Sequence, residues 1–210
     1  MSHKKYYWFV VSFFLFTIVT SCDDSDDTLL GNWKDLSDFA GIPRSSASCF
    51  VINDKAYLVG GFDGDDYYKD LWEYDPSSNF WKQKADFPGN PRSSAVAFAI
   101  DGKGYFGTGY DGDHKLKDFW EYDPTHDTWA QKAYFGGSAR YGAVGFAIGG
   151  TGYIGTGYDD NDLKDFWSYD PLSDQWEEFA FSGAKRRDAT AFVLEGKAYV
   201  GTGISKPTAP

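Results

Sequence analysis

Three acidic loops, each opened by an aromatic residue, carry the densest set of groups that could hold a ligand. They read FDGDD from Phe62, YDGD from Tyr110 and YDDND from Tyr158. Aromatic rings stack on apolar faces and carboxylates orient polar groups, so this combination suits a sugar or a peptide pocket. The ligand-binding candidates in these loops are Tyr110, Tyr158, Asp65, Asp113 and Asp160.

Four arginines precede apolar stretches at intervals of 48, 48 and 46 residues, and we call them the repeat arginines. They are Arg44, Arg92, Arg140 and Arg186. A guanidinium group can orient an anionic ligand, which makes them binding candidates as well. A residue that occurs in every repeat serves the fold more often than one ligand, so the framework interpretation of these arginines is favoured.

The Asp-Gly-Asp spacings in two of these loops also suit calcium, which prefers oxygen ligands. The weak candidates are Asp63, Asp65, Asp111 and Asp113. Neither loop has the twelve-residue calcium-binding pattern, which ends in Glu. No cofactor is therefore expected. The sequence also lacks a Ser-His-Asp order, an HExxH motif and a phosphate loop, which argues against the hydrolases and nucleotide enzymes they mark.

The elements that must position these loops follow from the repeat itself, because a fixed period of this size marks a repeat architecture. Between Arg92 and Ile100 large and small apolar residues alternate, which predicts a strand buried on both faces. Two-residue turns follow, and they predict tight hairpins. The turns are Asn53-Asp54, Asp101-Gly102, Gly149-Gly150 and Glu195-Gly196.

Two further strands complete each repeat. The third spans 69–74, 117–122 and 164–169 and ends at an Asp-Pro turn, and the fourth carries Trp81, Trp129 and Trp176. The Gly-Thr-Gly at 107–109 predicts a close backbone approach from a neighbouring segment. Cys49 aligns with Ala97 and is interpreted as a small buried residue.

The order of Arg, apolar strand, GG or GTG, D-L/F-W-x-Y-D-P and spaced Trp resembles the kelch repeat over nearly all of 33–203. The resemblance implies an all-β fold, a kelch-type β-propeller segment with three complete four-stranded blades and a partial fourth. In such blades the second-to-third loop and the blade-to-blade loop lie at the same end. We therefore expect the acidic loops and the repeat arginines to share one face.

Two enzyme classes with related propellers were weighed. Galactose oxidase resembles the kelch fold but needs two histidines at copper, whereas His114 and His126 lie in loops expected at opposite ends of one blade. A kelch-like sialic acid epimerase activity stays the alternative to a binding module. It rests on fold analogy alone, so whether the protein is an enzyme is left open, with a binding module favoured.

The amino terminus predicts export and lipidation. Lys4 and Lys5 precede an apolar run from Trp8 to Val19, and V-T-S then precedes Cys22. This pattern resembles a bacterial lipoprotein signal peptide, in which cleavage precedes the cysteine and its thiol is acylated. An incidental Cys22 after an ordinary signal peptide is the alternative. The acidic run at 23–27 serves as a solvated tether or resembles a surface-export signal of Bacteroidota lipoproteins. In enteric bacteria, Asp directly after the cysteine would instead indicate retention at the inner membrane, and the sequence does not choose between these.

Charge narrows the partners. The net charge of −11 becomes −13 once Lys4 and Lys5 are removed, so nucleic acid is not expected as a partner. The expected ligand is a glycan or a protein, and the lipid would hold the chain at a membrane outside the cytoplasm. The outer membrane or the cell surface is favoured.

The predicted organisation is a signal peptide at 1–21, an acidic tether at 22–32, the propeller segment at 33–203 and a non-repeat tail at 204–210. A ring of three and a half blades would leave apolar faces uncovered. We therefore expect either a longer parent chain or self-association that completes the ring. A closed four-blade ring is the third alternative.

Overall fold

The computed structural model describes residues 34–205, which contain fourteen β-strands in four antiparallel sheets. The first sheet consists of β1 (Ser48–Ile52), β2 (Lys55–Val59), β3 (Leu71–Asp75) and β4 (Phe80–Lys84). The second consists of β5 (Val96–Ile100), β6 (Lys103–Gly107), β7 (Phe119–Asp123) and β8 (Thr128–Lys132). The third consists of β9 (Val144–Ile148), β10 (Thr151–Gly155), β11 (Phe166–Asp170) and β12 (Gln175–Phe179), and the fourth of β13 (Thr190–Leu194) and β14 (Lys197–Gly201).

Each sheet is one propeller blade, with strands paired in chain order. The predicted all-β fold of three four-stranded blades and a partial fourth is thus confirmed. The hairpin turns are confirmed too: φ is 49° at Asn53 and 61° at Asp54, and 48° at Asp101 and 77° at Gly102. Positive φ at both central residues gives a turn whose twist matches that of the strands.

The alternation of large and small residues decides how blades stack. Val96, Phe98 and Ile100 of β5 pack against the third blade, whereas the alanines between them pack against the first. A Cβ on Gly145 would lie 1.9 Å from Cγ1 of Val96, so this position admits glycine alone without movement. The bulky face of one blade therefore fills the hollow face of the next.

The inner strands β1, β5, β9 and β13 lie side by side around a channel of about 470 Å³. Among the described strands, β1 has no contact with β13 or β14, so the blades form an open arc. In the fourth blade, which forms one end of the arc, Phe192 and Leu194 are exposed. In the first blade, which forms the other end, Cys49 and Val51 are exposed. Cys49 was expected to be buried; it is exposed because no described blade covers the hollow face of the first one.

The predicted signal peptide, Cys22 and the acidic tether lie outside the described residues, as does Trp33. Ile204, assigned to the tail, pairs with Arg187 by two backbone hydrogen bonds of 2.9 and 3.0 Å. No helix within residues 34–205 has the length and apolar composition needed to cross a bilayer.

Candidate functional site

The repeat arginines lie at one end of each blade, and the guanidinium of Arg92 shows what they do there. It donates to both carboxylate oxygens of Asp118 at 2.6 and 2.8 Å, and to the carbonyl oxygens of Thr108 and Asn90 at 3.0 Å each. Arg92 is 1% exposed. A bidentate ion pair with two carbonyl contacts uses most of the donors of the group, so little remains for a ligand.

Arg44 and Arg140 have the same arrangement, whereas Arg186 makes only the two carbonyl contacts among the described residues. Arg140, also 1% exposed, donates to both oxygens of Asp165 at 2.7 Å, and Arg44 pairs with Asp70. Arg186 donates to the carbonyl oxygens of Thr202 and Ala184 at 2.8 and 3.2 Å. All four predicted ligand candidates of this type therefore lie in framework contacts.

In the second and third blades, the aspartate that pairs with the repeat arginine also accepts a hydrogen bond from a tryptophan of the third strand. Trp120 Nε1 donates to Asp118 at 2.8 Å, and Trp167 Nε1 donates to Asp165 at 2.8 Å. Burial alone would raise the pKa of Asp165, but hydrogen bonds from Arg140 and Trp167 hold that pKa below its usual value. The carboxylate is consequently ionised at neutral pH and fixes both neighbours.

A phenylalanine lies under each of three guanidinium groups. The centroid of Phe87 is 4.7 Å from Cζ of Arg92, that of Phe135 is 4.9 Å from Arg140, and that of Phe39 is 5.4 Å from Arg44. These phenylalanines were not predicted from the sequence. Their signal was present, because a phenylalanine stands five residues before every repeat arginine. These are Phe39, Phe87, Phe135 and Phe181.

Backbone contacts join the blades beside the arginines. Gly109 N donates to the carbonyl oxygen of Arg140 at 2.7 Å, and Gly157 N does the same to Arg186 at 2.8 Å. A Cβ on Gly109 would lie 2.9 Å from Cβ of Ala95. The close backbone approach predicted from Gly-Thr-Gly is therefore confirmed.

Around the channel mouth at this end, a second set of bonds links one blade to the next. Ser94 N donates to the carbonyl oxygen of Ser46, Gly142 N to that of Ser94, and Asp188 N to that of Gly142, at 2.8 to 3.0 Å. All of these residues have positive φ, from 52° to 61°. This geometry holds the loops of neighbouring blades in a fixed spacing.

The acidic loops and the segments after the repeat arginines meet at this same end, as predicted, and we call it the loop face. Tyr110 exchanges backbone hydrogen bonds of 3.0 Å with Ser93, and Tyr158 pairs in the same way with Tyr141. Between them opens a cleft of about 430 Å³, the tyrosine cleft. It is lined by Ser93, Ser94, Tyr110, Asp113, Lys115, Tyr141, Tyr158 and Asp160.

Tyrosine rings cross the blade boundaries in a continuous series. Centroids of Tyr67 and Tyr110 are 6.1 Å apart, those of Tyr110 and Tyr141 are 5.6 Å apart, and those of Tyr141 and Tyr158 are 5.4 Å apart. The rings are tilted against one another by 50° to 78°. Tilted contacts of this length are favourable aromatic pairs, so the rings support each other's position.

Charged groups border these rings. Lys115 Nζ lies 2.8 Å from Oδ1 of Asp160, and Cζ of Arg187 lies 4.6 Å from the centroid of Tyr158. Asp113 is exposed, and its carboxylate has no hydrogen-bond or ion-pair partner among the described residues. The cleft thus offers aromatic edges, one lysine and two carboxylates to a ligand.

The acidic loops keep their shape through their first aspartate. Oδ1 of Asp63 accepts from the backbone N–H of Asp65 and Asp66 at 2.9 and 2.8 Å, and Tyr68 donates to Oδ2. These bonds, led by that from Asp66, lower the pKa of Asp63 to about 2. Asp111 accepts from Asp113 and His114 in the same way. Both carboxylates are therefore part of the turn.

The structure gathers four of the predicted candidates, Tyr110, Tyr158, Asp113 and Asp160, around one cleft. Asp65 lies in the first acidic loop and does not line it. Sequence reasoning missed the contributions of Ser93, Ser94, Tyr141 and Lys115. A signal existed for Tyr141, since it directly follows a repeat arginine and so belongs to the segment that faces the acidic loops.

The weak calcium candidates are the carboxylates of the first two acidic loops. Within residues 34–205, no three His, Cys, Asp or Glu side chains gather as a metal site would require.

The two histidines weighed for a copper site lie apart. His114 lies between β6 and β7 and His126 between β7 and β8, at opposite ends of one blade. His126 Nδ1 is 2.7 Å from Asp123 in its own turn.

Comparison with known proteins bears on this geometry. Residues 31–203 match the family described as the KLHDC2/KLHL20/DRC7 Kelch-repeats domain. Comparison with curated proteins gave no significant match.

Among solved structures, that titled "Structure of YjhT" aligns with a TM-score of 0.71 at 18% sequence identity. The alignment covers 82% of this chain and 63% of that one, so the chain spans less than two thirds of that relative. At this identity the similarity supports the fold alone. With blade sheets, repeat arginines and the family match in agreement, the chain belongs to the kelch-repeat family of β-propellers.

Proposed function

We propose that this protein is a lipid-anchored binding module that recognises a glycan or a protein through its loop face. The observation that carries the proposal is the tyrosine cleft, because it gathers Tyr110, Tyr158, Asp113 and Asp160 at one end of the blades. Buried ion pairs and blade-to-blade bonds hold the blades, whereas Asp113 has no partner among the described residues. Rigid scaffolds that carry such loops are a common basis of binding.

The test is binding of the purified protein to a glycan array and to envelope proteins from its source cells. The double substitution Tyr110→Ala/Tyr158→Ala should weaken binding by about tenfold or more, as expected when two aromatic contacts are lost. Tyr134→Ala is the matched control, because Tyr134 is 57% exposed and lies outside the cleft. Binding that responds equally to both changes would contradict the proposal.

The position of the ligand can be mapped independently. Crosslinks from a bound ligand should fall on the loops that begin at Tyr110 and Tyr158. The turns at 75–76 and 123–124 lie at the opposite end of the blades. Crosslinks confined to those turns would place the ligand on the wrong end of the propeller.

The anchor is proposed at Cys22, supported by the apolar run and the V-T-S sequence that precede it. Mass spectrometry of membrane-fractionated protein should find acylated Cys22 as the first residue. Cys22→Ala should move the protein to the soluble fraction. A variant that stays with the membrane would contradict the lipid anchor without bearing on the tyrosine cleft.

A further inference from the structure

The rings of the tyrosine cleft are arranged for something other than flat stacking on a sugar. Tyr110 and Tyr141 each contact a neighbouring ring at a steep angle, so part of each face is already covered. The face of Tyr158 is taken by the guanidinium of Arg187. Stacking on a pyranose requires an open ring face, whereas these rings offer edges and hydroxyl groups instead.

Two of the tyrosine hydroxyl groups can still form hydrogen bonds with a ligand. Tyr141 and Tyr158 make no side-chain hydrogen bond with other residues of 34–205, whereas the Tyr110 hydroxyl donates to the carbonyl oxygen of Gly112. Tyrosine oxygens with free lone pairs accept hydrogen bonds from ammonium and guanidinium groups. The cleft therefore has tyrosine oxygens that can accept a hydrogen bond from a ligand.

One blade further along, the protein places two of its own cations against a tyrosine ring. Tyr158 has Cζ of Arg187 at 4.6 Å and Nζ of Lys115 at 6.0 Å from its centroid. Each cation also has a carboxylate partner: Arg187 is 3.1 Å from Asp162, and Lys115 is 2.8 Å from Asp160. A ring, a carboxylate and a cation thus form the local interaction pattern of this face.

Around Tyr110 the first two parts of that pattern are present without the third. Tyr67 and Tyr141 occupy the places that correspond to Lys115 and Arg187 around Tyr158. No lysine or arginine among the described residues lies over the rings of Tyr110 or Tyr141. The carboxylate of Asp113 is exposed beside them. Among the described residues the carboxylate of Asp113 therefore lacks the cation partner that Asp160 and Asp162 have, and it fits a cation from outside.

Charge on the wider face favours the same ligand. Residues 62–69, 110–117, 158–164 and 187–188 carry nine aspartates against five lysines and arginines. The first aspartates of these loops are held ionised: hydrogen bonds lower the pKa of Asp63 to about 2, and the backbone N–H groups of His114 and Asp113 lower that of Asp111 despite its burial. A negative field attracts and orients cationic partners.

We propose that the tyrosine cleft takes a lysine or arginine side chain from an extended segment of a partner protein, with Tyr110 and Tyr141 against its stem and Asp113 at its charged end. This rests on the proposed function and names its ligand class. The partner's segment, and not a glycan, supplies the contact. Lys115 opposes it, because its ammonium lies in the same cleft.

The experiment uses short capped Gly-Ser peptides that carry two lysines, two glutamates or two glutamines, titrated by calorimetry and by NMR of the tyrosine signals. The lysine peptide should bind, and its affinity should fall with added salt. Asp113→Asn should weaken it by about two- to fivefold, the size of one exposed charge or cation–π contact. Lys115→Gln should strengthen it by a similar factor.

The sign of the Lys115→Gln effect decides the inference. Preferential binding of the glutamate peptide, weakened by Lys115→Gln, would overturn it. Binding of a glycan that depends on Tyr110 and Tyr158 but ignores both charge variants would overturn it while leaving the proposed function intact. If no ligand depends on Tyr110 and Tyr158, the proposed function itself fails. Unchanged melting temperatures of Asp113→Asn and Lys115→Gln would exclude unfolding as the cause.

Discussion

Two regions at the same end of the propeller place the same residue types in different surroundings. In the framework, Arg92 and Asp118 form a buried bidentate pair with Trp120 against the same carboxylate. On the loop face, Lys115 and Asp160 pair at 2.8 Å, but the Asp160 side chain is 77% exposed. Residue type alone therefore does not distinguish a framework charge from an exposed one. Burial and the number of hydrogen-bond and ion-pair partners make that distinction.

Replacing a framework ring should have the largest effect. Trp120 is packed against the core of the first two blades, with Phe87 edge-on at 5.5 Å. Trp120→Ala should cost about 3–5 kcal/mol, as truncation of a core aromatic typically does, and should largely unfold the segment. Chemical denaturation measures it. Leu172→Ala is the control, because Leu172 is 97% exposed, and equal losses for the two would show that core and surface are confused.

Removing one partner of a framework ion pair should have the second-largest effect on stability. Asp165→Ala leaves the guanidinium of Arg140, 1% exposed, without its carboxylate. We expect a loss of about 3 kcal/mol, at the lower end for such pairs because the Asp165 side chain is 23% exposed. In the same assay Asp160→Ala should cost less than about 1 kcal/mol. A larger loss of stability for Asp160→Ala than for Asp165→Ala would contradict this difference between buried and exposed ion pairs.

Acid should reduce the contribution of that pair. The pKa of Asp165 is lower in the folded state, so the ionised carboxylate contributes stability above the unfolded pKa of about 4. This contribution is lost as pH falls through the folded pKa. The free-energy difference between the native protein and Asp165→Asn should therefore shrink from pH 6 to pH 2. A constant difference would mean that the charge of Asp165 contributes nothing.

The smallest effect should come from the loop face. Asp113 has an exposed carboxylate without a described partner, so Asp113→Ala should change stability by less than about 0.5 kcal/mol. Thermal unfolding of the variant measures this. A shift comparable to that of Asp165→Ala would mean that the loop face holds the fold and is not free for binding.

Much of the fold was determined by the sequence because its signals are local and repeated. The alternation in 92–100 and the paired turn residues at Asn53-Asp54 and Asp101-Gly102 specify strands and tight hairpins wherever they occur. Several copies at one spacing predicted blades, and the rule that successive antiparallel strands alternate in direction predicted which loops share an end. Those predictions agree with the structure.

The tertiary structure decided which groups are free. From the sequence, Arg92 and Asp113 were both charged residues near loops. Burial and a bidentate partner assign Arg92 to the framework, whereas the carboxylate of Asp113 is exposed and has no partner among the described residues. Lys115 and Tyr141 come from different blades, and they reach one cleft only because neighbouring blades stack with their loop ends aligned. Local patterns specify strands, but contacts between blades depend on packing over distances that no local pattern encodes.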